Sequence, residues 1–170
     1  MKKGLLFLFN NFEDCEALVT RAILKKNCLN VQTFTPNASL EVLSSQKLIV
    51  KADQHIDDVN FKEYDFLIIP GGPYILKMIE EKKDILFRLY EIIQYFFDNK
   101  KIIGAICAGP VFLGQLKLLK KHNFTCYPGC EKYIEGNHLN EKAVTSDFII
   151  TSRSPETVFH FVKHLLNKMN

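Results

Sequence analysis

The stretch Ile102-Ile103-Gly104-Ala105-Ile106-Cys107-Ala108-Gly109-Pro110 decides how this chain is interpreted. Its first five residues form a short apolar run, which is typical of a strand covered on both faces in a parallel sheet. A helical apolar pattern runs from Val111 to Leu116, so Cys107 is expected on the sharp turn between strand and helix. Small residues on both sides of this cysteine leave room for a strained, exposed turn that presents a nucleophile.

Apolar runs and helical patterns alternate along the rest of the chain. Further strands are predicted at Gly4–Phe9, Phe66–Ile69 and Phe148–Thr151. Alternating strands and helices are the pattern of a doubly wound α/β sandwich, which is a mostly parallel sheet with helices on both faces. The predicted helix faces are Cys15, Leu18, Val19, Ala22 and Ile23; Ile85, Leu89, Ile92, Ile93 and Phe96; and Val158, Phe161, Val162, Leu165 and Leu166.

Two local patterns refine this prediction. The segment Leu40–Lys51 is rich in β-branched residues with loose alternation, and it predicts a short hairpin on the sheet edge. The last helix has a clear start signal, with Ser154 as N-cap, Pro155 at the first helical position and Glu156 in the first turn.

Length and composition predict one domain over residues 1–170. The 170 residues are 47% hydrophobic and 24% charged, which is a globular composition. No apolar run approaches the length of a membrane helix and no signal peptide is recognisable, so a cytoplasmic protein without membrane contact is expected. The net charge of +3 comes from scattered lysines, which does not indicate a nucleic-acid partner.

The five cysteines do not form the pattern of a secreted disulfide framework. Their number is odd, so free thiols are expected. Three residues separate Cys126 from Cys130, which differs from zinc-finger spacing, and neither His122 nor His138 supplies a recognisable second ligand pair. No metal and no cofactor are therefore predicted. Cys15 is interpreted as a core-facing helix residue, with a resolving thiol as the alternative.

Three loops at the carboxyl ends of predicted strands should meet in one crevice, because parallel sheets place their ligands there. They are Asn10–Glu16, Pro70–Pro73 and the turn around Cys107. An arbitrary cysteine is usually a small core residue. The strand–turn–helix context favours a nucleophile instead, with its pKa lowered by the helix N-terminus so that the thiolate forms.

Glu16 is the predicted proton partner of Cys107. Acids in the first turn of a helix usually only stabilise it, and we interpret Glu13 and Asp14 in that way. Glu16 lies next to core-facing positions, so it is expected to point inward, to share one proton with the thiol and to have a raised pKa. Such a carboxyl group can act as a general acid and base.

The remaining site residues are backbone donors and one aromatic side chain. The amides of Gly72 and Ala108 are predicted to face a developing oxyanion. A cysteine hydrolase needs a histidine base, but none of the five histidines has a context that marks it as the partner. They are His55, His122, His138, His160 and His164.

The segments Ala105–Pro110, Pro70–Gly72 and Thr151–Pro155, together with Glu16, resemble the ThiJ/PfpI superfamily, on the branch of the parkinsonism-associated protein. The resemblance spans essentially the whole chain. It implies a flavodoxin-like three-layer sandwich of the class I glutamine amidotransferase type, a homodimer, and Cys107 as a reactive and oxidisable thiol paired with Glu16. Family members are associated with glutathione-independent glyoxalase activity, protein deglycation, chaperone behaviour and oxidative-stress sensing.

This chain departs from the family pattern at three points. Tyr127 stands where several members have a histidine near the cysteine, so it is a candidate substrate-side residue. Ala108 stands where the protease-like branch has histidine, and no His-x-Glu pair of an amidotransferase is present. Protease and amidotransferase functions are therefore not expected.

Two functions remain open for the sequence. The first is an enzyme, of glyoxalase or deglycase type, in which the Cys107 thiolate attacks small reactive aldehydes and Glu16 transfers the proton. The second is a redox sensor or chaperone-like protein without turnover, in which an oxidant converts Cys107 to an oxidised form held by Glu16.

Overall fold

Seven strands form the main sheet in the computed structural model, which describes residues 1–81 and 83–169. Lys82 of the Lys82–Lys83 pair and Asn170 lie outside the described residues. The strand order is β10-β11-β7-β6-β1-β2-β5, and every pairing is parallel except that of β10 with β11. These strands are β1 Lys3–Phe7, β2 Asn30–Thr35, β5 Gln54–His55, β6 Phe66–Ile69, β7 Ile102–Ile106, β10 Ala143–Ser146 and β11 Ile149–Ser152.

The continuous apolar runs predicted the central strands. β6 and β7 have the predicted bounds, and all four residues of β6 are buried, so both faces of the sheet are covered there. β1 ends at Phe7 instead of Phe9, and β11 begins one residue later than predicted. β2 was not predicted, because polar side chains interrupt its apolar pattern. One of them, Thr33, is satisfied by the Asp53 carboxylate, which accepts from its N–H at 2.7 Å.

The predicted hairpin exists, but its position at the sheet edge is wrong. β3 (Glu41–Leu43) and β4 (Ile49–Lys51) pair with each other in a separate two-stranded sheet. The edge beside β2 is occupied by β5, since Asp53 bonds hold that segment along β2. The hairpin instead contacts the loop after β1, where Asn11 N–H donates to Leu43 O at 2.7 Å.

In the part of the chain that the structure describes, five α-helices cover the sheet, and a doubly wound sandwich is confirmed. They are α1 Thr20–Lys26, α2 Ile75–Glu81, α3 Lys83–Asp98, α4 Pro110–Gln115 and α5 Val158–Met169. The predicted apolar faces of α3 and α5 are buried, apart from Ile85 and the half-buried Leu166. Ser154 and Thr157 form a capping box ahead of α5. Among the described residues, no helix is both long and apolar enough to cross a membrane.

The inward face of the first helical segment differs from the prediction. A π-helical turn, Cys15–Val19, leads into α1, and the buried residues of this segment are Glu16, Ala17, Thr20 and Leu24. Cys15 is exposed, so its interpretation as a core residue is wrong. Two of the four inward residues are polar, so a search for apolar residues at helical spacing does not find this face. It predicted the neighbouring face of the helix, which is partly exposed to solvent.

The small parallel pair β8 (Asn123–Phe124) and β9 (Asn137–His138) lies beside β10. The loop between these two strands returns toward the end of β7, because Tyr127 N–H donates to Cys107 O at 2.8 Å. This bond places residues 126–131 next to the predicted nucleophile.

Candidate active site

Cys107 occupies the turn that joins β7 to α4, as predicted. Its φ of 63° is a left-handed conformation, which is costly for a residue with a side chain. The Cys107 N–H donates to Ser152 O at 2.9 Å, and the Cys107 carbonyl accepts from Tyr127. These two bonds fix the strained turn, and the residue is only 8% exposed.

The carboxyl group of Glu16 reaches the same point from the π-helical turn before α1. It is fully buried, and its Oε2 accepts the Gly71 N–H at 2.6 Å. Within the described chain, the other oxygen, Oε1, has no hydrogen-bond partner, and the Cys107 thiol lies beside the carboxyl group. Glu13 fixes the backbone here by accepting the Glu16 N–H at 2.8 Å. Glu16 therefore points inward and contacts Cys107, as predicted.

Gly71 lies between these two groups, whereas the sequence suggested the Gly71-Gly72 pair only as oxyanion donors and named Gly72 as the site residue. A Cβ at this position would lie 2.7 Å from Cys107 Cβ, 2.8 Å from Glu16 Oε2 and 2.9 Å from Ala108 N. Glycine is thus the residue that fits between the acid and the thiol. The Gly71-Gly72 pair in the sequence was the available signal, but it could not show which glycine bonds the acid.

Burial raises the pKa of Glu16 to about 8, as the sequence predicted in direction. Hydrogen bonds from Cys107 and Gly71 oppose the effect of burial without cancelling it. Glu16 therefore retains its proton at a pH at which ordinary glutamates have lost theirs.

Burial also raises the pKa of the Cys107 thiol, and the negative charge of Glu16 raises it further. The prediction that the helix N-terminus would lower this pKa is wrong for the resting site, since the Ala108 amide opposes burial only weakly. The part due to the charge of Glu16 disappears when Glu16 is protonated, because the carboxylic acid is neutral. The acid can then also donate a hydrogen bond to sulfur. Burial, the larger cause, remains, so the resting site favours the neutral Cys107 thiol.

A cleft of about 490 Å³ opens beside Cys107. The predicted residues Gly72, Ala108 and Tyr127 line it together with the thiol. Tyr127 is 48% exposed. The cleft is also lined by residues that the sequence did not indicate, namely Glu13, Pro73, Leu76, Pro128, Gly129, Cys130, Lys132, Tyr133 and Pro155.

The five histidines do not line this cleft. His122 contacts Ser146 Oγ at 3.0 Å, and His164 contacts Thr145 Oγ1 at 2.8 Å. His55 contacts Pro36 O at 3.2 Å. The titratable group placed directly beside the Cys107 thiol is therefore the Glu16 carboxyl and not a histidine.

The chain matches the family model described as DJ-1/PfpI over residues 2–168. It is 31% identical over 171 residues to a Bacillus subtilis protein named "Putative cysteine protease YraA", covering 98% of this chain and 97% of that protein. It is 29% identical over 159 residues to the Caenorhabditis elegans "Glutathione-independent glyoxalase DJR-1.2", covering 92% of this chain and 82% of that protein.

Two further comparisons concern relatives that carry the DJ-1 name. The Arabidopsis thaliana "Protein DJ-1 homolog B" is 28% identical over 158 residues; the match covers 92% of this chain but only 35% of that longer protein. The solved structure titled "Toxoplasma gondii DJ-1, oxidized" has a TM-score of 0.89 at 24% identity and covers 99% of this chain and 91% of that one. This structural likeness shows the same fold.

Proposed function

This chain belongs to the DJ-1/PfpI family, and from that premise we propose that it is a DJ-1-like stress-protection protein that acts on small reactive aldehydes. Cys107 is the nucleophile and Glu16 its proton partner. The observation that carries the proposal is the Cys107 thiol, which lines an open cleft and has the fully buried Glu16 carboxyl group beside it. The name of the Caenorhabditis elegans relative, a glutathione-independent glyoxalase, supports an α-oxoaldehyde such as methylglyoxal as substrate.

The first step forms a bond between sulfur and the aldehyde carbon. In the reactive state Glu16 holds the shared proton and Cys107 is the thiolate. As the thiolate attacks, the aldehyde oxygen takes the Glu16 proton, which leaves a hemithioacetal and a carboxylate. The amides of Gly72 and Ala108 border the same cleft and stabilise the charge that develops on this oxygen.

The second step moves two protons along the substrate. The Glu16 carboxylate removes the proton from the carbon bound to sulfur and returns it to the neighbouring carbon, while the hydroxyl proton of the hemithioacetal passes to the neighbouring carbonyl oxygen. The hemithioacetal is thereby converted to a thioester. Water then cleaves the thioester, releasing the hydroxy acid and restoring the Cys107 thiol. The net reaction adds one water to the α-oxoaldehyde and needs no cofactor.

We expect the wild-type protein to form lactate from methylglyoxal without glutathione, and Cys107→Ser to form no more than buffer does. The serine hydroxyl is a far weaker nucleophile than a thiolate. Cys28→Ser is the matched control, because Cys28 is an exposed thiol away from the cleft and its loss should leave the rate unchanged. Equal rates for wild type, Cys107→Ser and buffer would contradict the proposal.

A second candidate function, oxidant sensing, is supported by the absence of a histidine from the residues that line the cleft. A thiol without a separate base is less suited to turnover, but it still reacts with peroxide when it is ionised. Each peroxide transfers one oxygen to the sulfur and leaves as water, first giving the sulfenate and then the sulfinate. A protonated Glu16 can donate a hydrogen bond to the sulfinate.

We expect mild peroxide treatment to add two oxygens to Cys107 before Cys28 changes, as measured by intact mass and peptide mapping. The Glu16 acid beside Cys107 stabilises the oxidised sulfur, whereas the exposed Cys28 lies outside this site. Equal oxidation of all five cysteines, or a faster reaction at the exposed Cys28, would contradict a sensing role for Cys107.

We also propose the homodimer that the resemblance implies and the cytoplasmic location that the sequence itself suggests. The stripe of Leu18, Val19 and Ile23 supports a dimer, because these apolar side chains are only half buried on the first helical segment. Five free cysteines support a reducing compartment. The dimer interface would then lie on the opposite side of this segment from Glu16.

A further inference from the structure

Three potential metal ligands meet on the loop that forms one wall of the cleft. The ligand atoms of Cys126, Glu131 and His138 all lie within 4.8 Å of one another. Cys126 is buried, Glu131 is half buried and His138 is exposed, so the cluster opens to solvent on one side. Sequence spacing did not identify it, because His138 comes from a separate strand.

Contacts hold two of the three ligands, Glu131 and His138. Cys126 follows β8, and His138 lies in β9 directly opposite Phe124, whose ring centroid is 5.4 Å from the imidazole. The Glu131 carboxylate accepts the Gly129 N–H at 2.7 Å, which aims it along the turn. The backbone bond from Leu139 N–H to Phe124 O, 2.8 Å long, fixes β9 against β8.

The donor set matches a borderline-soft divalent cation. A thiolate, a carboxylate and a neutral imidazole carry two negative charges together, which balances a divalent ion. Calcium and magnesium prefer sets made of oxygen alone. Thiolate, imidazole and carboxylate are the three ligand types that zinc uses in proteins.

We propose that Cys126, Glu131 and His138 bind one Zn²⁺ ion, with water in the fourth position. Zinc–ligand bonds are about 2.0–2.3 Å long, so the three ligand atoms, which lie within 4.8 Å of one another, would move closer together as the ion binds. The open side at His138 admits the water. The bound ion would fix residues 126–131, and thus the wall that carries Tyr127, Pro128 and Cys130.

The test uses Co²⁺ as a spectroscopic probe and Zn²⁺ in competition with a chromogenic chelator. Both titrations are made on Cys107→Ser, so that metal bound by the nucleophile does not contribute. We expect one Co²⁺ per chain, with the near-ultraviolet charge-transfer band of a single thiolate, and its displacement by Zn²⁺. His138→Ala and Glu131→Gln should weaken Zn²⁺ binding by about tenfold or more, and Cys126→Ser should remove the thiolate band.

Controls separate this site from other thiols and imidazoles. Cys130→Ser removes a buried cysteine of the same loop, and His160→Ala removes an exposed histidine; both should bind as the parent does. Glu131 and His138 are accessible, so their variants remain informative even where Cys126→Ser fails to fold. The proposal is overturned if the parent binds no Zn²⁺ against the chelator, or if His138→Ala and Glu131→Gln bind as tightly as the parent.

Discussion

Glu16→Gln should be more stable than the wild type at pH 8 and should lose the proposed aldehyde turnover. The Gln oxygen can keep the 2.6 Å bond from Gly71, and its amide can donate to the Cys107 sulfur. The variant lacks the titratable carboxyl group, so it cannot donate or accept the proton that the proposed reaction requires. Because a general acid–base group typically contributes 10²–10⁴-fold, lactate formation should fall by at least about 100-fold.

The stability difference depends on pH in a defined direction. The pKa of Glu16 is raised in the folded chain from 4.5 to about 8, so the folded state binds a proton that the unfolded state has released between these values. The stability that this proton provides is complete below about pH 4.5 and is lost as the pH rises through 8. The wild-type free energy of unfolding should therefore fall by up to about 1.4 kcal/mol per pH unit across this window.

Urea denaturation of both proteins at several values between pH 5 and pH 8 measures this difference. The free energy of unfolding of Glu16→Gln lacks this pH dependence. Its excess over the wild-type value should therefore grow with pH, to roughly 2–4 kcal/mol at pH 8. Glu80→Gln, a change at an exposed glutamate, is the control and should follow the wild type. If the wild type and Glu16→Gln have parallel pH profiles, the buried proton assigned to Glu16 is absent.

Gly71→Ala should damage both the fold and the thiol. The new methyl group would lie within 2.7–2.9 Å of Cys107 Cβ, Glu16 Oε2 and Ala108 N, and one of these neighbours is backbone that cannot move freely. Overpacking of this kind costs roughly 2–3 kcal/mol. Displacing the carboxyl group from the sulfur should also remove the proposed turnover, since Cys107 and Glu16 must share a proton.

Thermal unfolding and the rate of Cys107 alkylation by iodoacetamide report the two effects of Gly71→Ala separately. Gly129→Ala is the matched change, because Gly129 lines the same cleft but its Cβ would meet nothing within 4 Å. Its φ of 94° should cost only about 1–2 kcal/mol, and the reactivity of Cys107 should be unchanged. Gly71→Ala with normal stability and normal alkylation would show that the acid and thiol are not joined at this glycine.

The central strands were predictable because burial on both faces leaves a continuous apolar run. Phe66–Ile69 and Ile102–Ile106 have no polar residue, and their bounds follow from the sequence. The strand at Asn30–Thr35 was missed for the opposite reason, since Thr33 is buried through bonds to Asp53, twenty residues later. A hydrophobic pattern cannot predict that a polar residue is buried when its hydrogen-bond partner is distant in the sequence.

The same limit applies to the candidate site. The turn at Cys107 is visible in the sequence because small neighbours mark it, and Glu16 is visible as an acid near a helix start. The role of Gly71, the exposure of Cys15 and the meeting of Cys126 with His138 all depend on which distant atoms come together. The direction of the Cys107 pKa was also out of reach, since it depends on how deeply the thiol is buried beside Glu16.

The left-handed backbone at Cys107 places two requirements in conflict, since stability favours glycine at this position and the chemistry requires a thiol. Glycine is the only residue that adopts this conformation without cost, so the fold alone would prefer to have no side chain there. Selection for thermal stability alone would favour glycine at this position, and the turn would then have no reactive side chain. The molecule therefore keeps its reactive sulfur at the expense of its own robustness.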